Sequence, residues 1–176
     1  LKFHPAYQEV DPADKELMYP ILEACEGMDA VVLIHTGTTR MTYSKIRTCN
    51  PISIDDIATD FPNLKIIMTH FGWPWTAEAL ATIWRHENVY LDLSGWLPKY
   101  IYQAEPIVFH YMNSILSDKF VYGSDYPAID PTTWIDDFME IVKNGYVWGN
   151  NKKEFRQEAI DKFFRHNAVK LLGLDK

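Results

Sequence analysis

The sequence predicts an α/β protein built on a parallel sheet. Short strand-like runs recur at intervals of roughly 25–35 residues, the length of a strand and its crossover helix. Helix-forming segments fill the gaps, and this strand–helix alternation continues through the chain. The interior runs are near-continuously apolar, as parallel strands covered on both faces require.

The first run is "LKFHP" (1–5), and a helix follows from Pro20 to Gly27, with proline in its first turn and glycine past its end. The second run is "AVVLIHTG" (30–37). In "SIDDIATDF", Ser53 reads as the N-cap, with Asp55 and Asp56 at the positive end of the helix dipole. The third run, "LKIIMTHFG" (64–72), leads to a segment rich in helix formers, "TAEALATIWRHE" (76–87). "VYLDLSG" (89–95) is the fourth run, and the helix after it starts near Pro106 and continues to about Leu116. The fifth run is "KFVYGSDYP" (119–127): Phe120, Val121 and Tyr122 suit a buried strand, and Gly123 and Pro127 punctuate the backbone around Asp125. "TTWIDDFMEIVKNG" stops at Lys143 and Gly145. Asn151, with Glu154 three residues on, resembles a capping box for a helix through Arg165, and a last short helix ends at Gly173. An open doubly wound sheet and part of a (β/α)8 barrel both fit this order. A complete barrel takes about 250 residues, so five units in 176 residues match a barrel that lacks about three units.

A hydrophobic content of 47% with 14% aromatic residues is that of a packed domain, read here as one domain over 1–176. The net charge of −7 argues against general attraction to nucleic acid or an anionic membrane. Lys152, Lys153 and Arg156 read as the solvated face of a helix. The two cysteines, Cys25 and Cys49, have no C-x-x-C spacing and suggest no disulfide framework, so the cytoplasm is the expected location. No apolar run approaches the roughly 18 residues that span a bilayer, and no signal peptide is visible. The chain begins at Leu1, already at the end of a strand, so it is expected to be a fragment of a longer protein.

His4, His35, His70, Asp92 and Asp125 each fall at or near the C-terminal end of a strand-like run. In both architectures that edge gathers ligands and catalytic groups. Histidine and carboxylate suit zinc or another divalent transition metal. His4 precedes Pro5 and reads as shaping a turn; Asp92 reads equally as a loop cap and as a functional acid. His35, His70 and Asp125 together favour a metal or proton-transfer site. His86, His110 and His166 lie in helical segments and read as non-ligands. Trp73, Trp75 and Trp96 follow strand ends, as pocket walls or as loop packing, with Trp73 the candidate for substrate contact. There is no G-x-G-x-x-G, Walker-type loop or G-x-S-x-G elbow; Ser124 lacks the flanking spacing, and Cys25 sits within a helix.

"LKFHPAYQ", "VVLIHTG", "FPNLKIIMTHFGWPW", "NVYLDLSGW", "FVYGSDYP" and "HNAVKLLGL" cover essentially the whole chain. With these pieces in this order the sequence resembles the C-terminal portion of an amidohydrolase-related protein. The branch it resembles contains aminocarboxymuconate-semialdehyde decarboxylase and related metal-dependent hydrolases and decarboxylases. The resemblance implies a distorted (β/α)8 TIM-type barrel with these runs as its fourth to eighth strands. It also implies a divalent metal, with zinc the first expectation and manganese or iron the alternatives. By the same resemblance His35 matches the fifth-strand metal ligand. His70 matches the sixth-strand histidine that binds metal or orients the reacting group. Asp125 matches the eighth-strand aspartate, a ligand that also handles a proton. The family's first-strand His-x-His is not in this sequence; the three remaining residues suffice for a three-ligand site. The expected function is a metal-dependent hydrolase acting on a small organic substrate through a metal-activated water. A non-oxidative decarboxylase is the alternative, and a catalytically incomplete half-barrel with a structural or interaction role is the third reading. Uncovered strand edges would favour a homo-oligomer.

Overall fold

The computed structural model describes residues 1–174, and the chain divides into two compact units, one of Leu1–Leu91 and one that begins at Asp92. The first unit contains β1 (Lys2–Phe3), α1 (Pro5–Gln8), α2 (Tyr19–Gly27), β2 (Val31–His35), α3 (Ile52–Asp60), β3 (Lys65–Thr69), α4 (Thr76–Arg85) and β4 (Val89–Asp92), whose last residue opens the second unit. β1, β2, β3 and β4 are parallel, with Lys2 in register with Leu33 and His35 with Thr69.

Side chains alternate across these strands. Val32 and Ile34 in β2, and Ile66 and Met68 in β3, are fully buried. Their neighbours Val31, Leu33, Lys65 and Ile67 are only half-buried. The expectation of two closed faces holds for β4, whose four residues are all buried; in β2 and β3 the second face is half-open at Val31, Leu33, Lys65 and Ile67 and closes at His35 and Thr69. Leu22 of α2, Ile54 and Ile57 of α3, and Ala79 and Ile83 of α4 are buried completely, at the three- and four-residue spacing that presents one helix face. α3 starts two residues earlier than a Ser53 cap allows. Pro51 presets the helical backbone, the Asn50 side chain accepts from Ile52 N at 2.9 Å, and Ser53 is buried inside the first turn.

The second unit contains α5 (Pro98–Ala104), α6 (Pro106–Met112), β5 (Phe120–Val121), α7 (Pro131–Asn144), β6 (Tyr146–Trp148), β7 (Asn151–Lys153), α8 (Gln157–Asp161) and α9 (Asn167–Leu172). In the first unit the strand order of the sheet is β1-β2-β3-β4. α5 was not legible as a separate helix, and α6 stops at Met112 rather than near Leu116. Asn151 opens no helix. It begins β7, which pairs antiparallel with β6 around a Gly149–Asn150 turn in which Gly149 has φ 60. A two-residue loop with glycine at positive φ is a strong hairpin signal, and here it overrides the capping pattern.

Aromatic side chains fill the core of this unit. Trp134, Phe138, Phe163, Phe109 and Phe120 are fully buried, and Trp134 stacks on Phe138 with ring centroids 5.5 Å apart. The Trp134 indole N–H donates to the Trp96 carbonyl at 2.9 Å, so its polar atom is satisfied. Asn167 does the same for the terminal motif: its buried amide donates to the Ser117 and Phe120 carbonyls at 2.8 and 2.7 Å. Trp134→Ala is expected to cost about 3–5 kcal/mol by leaving a large cavity, read as a fall in the denaturant midpoint. A loss below about 1 kcal/mol would show that the aromatic cluster does not support the unit.

Candidate functional site

β2 ends on His35, which alternation places on the half-open face with Val31 and Leu33. Lys2 and Thr69 share that face by register, and the Lys2 ammonium donates to Thr69 Oγ1 at 2.8 Å. His70 directly follows β3, and continued alternation would turn it to the opposite face. Left-handed backbone at His70 (φ 70) and Phe71 (φ 45) prevents this. Such conformations are uncommon outside glycine, and most of all for an aromatic residue. The result is that Phe71 is fully buried and the His70 ring lies 4.7 Å from that of His35, tilted by 57°.

A third imidazole joins them. His4 caps α1, its Nδ1 accepting from Tyr7 N at 3.4 Å. Its ring stacks on Tyr7 at 3.6 Å and on His35 at 3.8 Å, with planes 4° and 15° apart. The turn reading of His4 is thus true of its capping role but omits the ring's position. Cys49 closes a short 3-10 turn, Ile46–Cys49, and is 1% exposed. One nitrogen of His4, one of His35 and the Cys49 sulfur all lie within 4.8 Å of one another.

Burial sets the charge state of this cluster. It pulls His35 down to about 2, with His70, His4 and Lys2 adding repulsion. It pulls His4 to about 4, helped by Lys2 and His70. Burial also pushes the Cys49 thiol up. Both imidazoles are therefore neutral at pH 7, the form that ligates a transition metal. The Thr38 carbonyl accepts from His35 Nε2 at 3.2 Å, which leaves the lone pair on Nδ1. The donor chemistry fits a divalent transition metal.

These neutral histidines also predict a pH dependence. Between pH 6.5 and 4 the unfolded chain takes up protons that the folded His35 and His4 refuse, so stability present above pH 6.5 is lost as pH falls. Melting of the metal-stripped chain is expected to weaken by roughly 1 kcal/mol per pH unit for the buried His35 across that window. The His35→Asn chain should show a visibly shallower acid limb, and an unchanged slope would contradict the burial argument.

Gly37 fixes the loop after His35. It has φ 81, its N–H donates to the Cys49 carbonyl at 2.9 Å, and an added Cβ would collide with the Trp73 carbonyl oxygen. That carbonyl also accepts from Thr38 N at 2.8 Å. Gly37→Ala is expected to cost about 1–3 kcal/mol from backbone strain alone, with a further loss from the collision. A melting curve checks it, and an unchanged midpoint would show that the loop can open without penalty. The Trp73 side chain is half-buried; its backbone is what demonstrably holds the loop.

Asp125 belongs to the second unit, in the turn after β5. It is exposed, sits at φ 72, and its backbone carbonyl accepts from Ala128 N at 2.8 Å. Among the described residues its carboxylate makes no hydrogen bond or ion pair, so it does not hold the loop. Asp92 behaves otherwise. It is buried, and its Oδ1 accepts from Ser94 N at 2.9 Å and from Ser94 Oγ at 2.6 Å, which is the loop-capping arrangement. His86 Nε2 meets Asp55 at 2.7 Å, His110 stacks on Trp148 at 4.3 Å, and His166 is exposed. Sequence reasoning did not single out Cys49 or Lys2. For Lys2 the strand-end position beside His4 was an available signal; for Cys49 there was none.

The chain resembles known proteins along most of its length. It is 25% identical over 151 residues to protein fluG of Emericella nidulans, covering 81% of this chain and 17% of that protein. A TIM-barrel protein of uncharacterised function from Bordetella bronchiseptica superposes with TM-score 0.73 at 26% identity, over 92% of this chain and 52% of the other. The 5-carboxyvanillate decarboxylase of Novosphingobium aromaticivorans, solved with manganese and a nitrobenzoic acid, gives TM-score 0.64 at 16% identity, over 98% of this chain and 56% of the other. The chain thus spans about half the length of these barrels, consistent with a partial (β/α)8 fold. The family model described as amidohydrolase matches residues 1–174, and the chain belongs to that family.

Proposed function

We propose that this chain carries part of the active site of a metal-dependent hydrolase acting on a small organic substrate, with His35, His70 and Asp125 as its functional residues. The observation that most supports it is the pair of imidazoles at the ends of β2 and β3, 4.7 Å apart, with His35 held neutral by burial. A divalent cation, zinc or manganese, would polarise the substrate carbonyl and make a water acidic near neutral pH. His35 presents a neutral lone pair, and the left-handed backbone at His70 keeps the second ring beside it. Asp125 accepts the proton of the attacking water and returns it to the leaving group. Among the described residues its carboxylate has no partner, which suits that exchange. Among the described residues no helix is long and apolar enough to cross a membrane. Cytoplasmic residence and a small-molecule partner belong to the same proposal.

Lys2 favours a second reading, non-oxidative decarboxylation. Its ammonium lies on the half-open sheet face that carries His35, where it would hold a substrate carboxylate. In that reaction the carbon–carboxylate bond breaks, carbon dioxide leaves and a proton takes its place. Product analysis decides between the readings: lactones, esters or amides against carboxylated aromatics, incubated with the protein and added zinc or manganese. Hydrolysis products support the first reading, and carbon dioxide release replaces it with the second. A chain that binds no metal and turns over neither class would leave only the structural half-barrel.

A further inference from the structure

Cys49 has no part in the function proposed above, yet the fold brings it to the histidines. Its turn is fastened to the loop after β2 by the Gly37 N–H, which donates to the Cys49 carbonyl. The side chain is buried, and its thiol hydrogen-bonds to the backbone of Ala6 in α1. One nitrogen each from His4 and His35 and the sulfur lie within 4.8 Å of one another. Tetrahedral zinc–nitrogen bonds of about 2.0–2.1 Å and zinc–sulfur bonds of about 2.3 Å need these atoms roughly 1 Å closer together.

We propose that His4, His35 and Cys49 form a thiolate-containing site for a soft divalent cation such as zinc or cadmium, distinct from the set of His35, His70 and Asp125.

The donor types support this. Two neutral imidazoles and one thiolate select softer metals than a set completed by a carboxylate. Binding displaces the proton of the Cys49 thiol, because the thiolate is the form that ligates a metal. The closure is local. The nearly parallel stack of His4 on His35 directs their lone pairs side by side, so His4 must turn. The His4 Nδ1 is held by a 3.4 Å contact from Tyr7 N, near the outer limit of a hydrogen bond. Because His35 belongs to both sets, an ion in the thiolate site withdraws it from the hydrolytic one. This last consequence rests on the proposed function; the site itself does not.

Cobalt provides the test, because a cobalt–thiolate bond adds a charge-transfer band in the near ultraviolet that nitrogen and oxygen ligands lack. The chain has two cysteines, so Cys25→Ser leaves Cys49 as the single thiol. The metal-stripped full chain carrying Cys25→Ser, titrated with cobalt at pH 7.5, is expected to show the band and to lose it when cadmium is added. Cys49→Ser is expected to lack the band, and His4→Ala to need at least tenfold more cobalt to develop it. Cobalt binding to the Cys25→Ser chain without a thiolate band overturns the site and leaves the hydrolase reading standing. No cobalt binding at all overturns both. A thiolate band in Asp125→Asn equal to that of the unmodified chain, with turnover lost, supports two distinct ligand sets.

Discussion

Asp125→Asn is expected to lower turnover on the order of a hundredfold or more while leaving the melting temperature nearly unchanged. The substitution keeps the side chain's size but removes its charge and most of its capacity to accept a proton. Asparagine tolerates left-handed backbone at least as well as aspartate, so φ 72 adds no strain. The carboxylate makes no hydrogen bond among the described residues, and the Asp125 carbonyl that accepts from Ala128 N is untouched. Stability should therefore stay within about 0.5 kcal/mol, the range of a surface substitution. Turnover, bound metal per chain and a melting curve are measured together. Near-normal turnover in a well-folded Asp125→Asn protein would reject the catalytic assignment. A large loss of stability with retained activity would mean that the carboxylate holds its turn after all.

His35→Asn is expected to be as severe by a different route. Asparagine can still donate to the Thr38 carbonyl, so the one hydrogen bond His35 makes there is replaceable. It cannot offer an imidazole lone pair, and it loses the stack against His4 and the contact with His70. Removing a ligand common to both proposed sets should reduce bound metal to background and turnover by more than a hundredfold. Stability should fall by roughly 1–3 kcal/mol, the ordinary range for a core change. Metal content measured on protein purified without chelator is the deciding quantity. Full metal occupancy in His35→Asn would remove His35 from every ligand set proposed here.

The elements that sequence reading placed well owe their form to local chemistry. β2 and β3 are continuous apolar runs, and α4 and α7 carry apolar residues at helical spacing over two to four turns. Asp130, whose side chain accepts from Thr133 N at 3.1 Å, and Pro131 start α7 as cap and first-turn residue. The errors fall where two local signals compete. Asn151 and Glu154 carry the letters of a capping box, but Gly149 at positive φ closes a hairpin first, and pairing of Tyr146 with Lys153 stabilises that outcome. Ser53 is a good cap residue two positions too late, because Pro51 and Asn50 had already begun α3.

By itself the sequence determined the strand–helix alternation and the delivery of His35 to the end of β2. These features depend on the nearest few residues and on a regular period. Tertiary structure alone decided the company that histidine keeps. His4 reads as a turn residue until parallel register sets β1 beside β2 and stacks its ring on His35. Cys49 carries no pattern at all; a turn fastened through Gly37 brings its sulfur to the same place. His70 follows a strand whose alternation points it the wrong way, and only two left-handed residues turn it toward His35. Register and backbone reversals of this kind are set by packing between distant segments, and a one-dimensional period does not encode that.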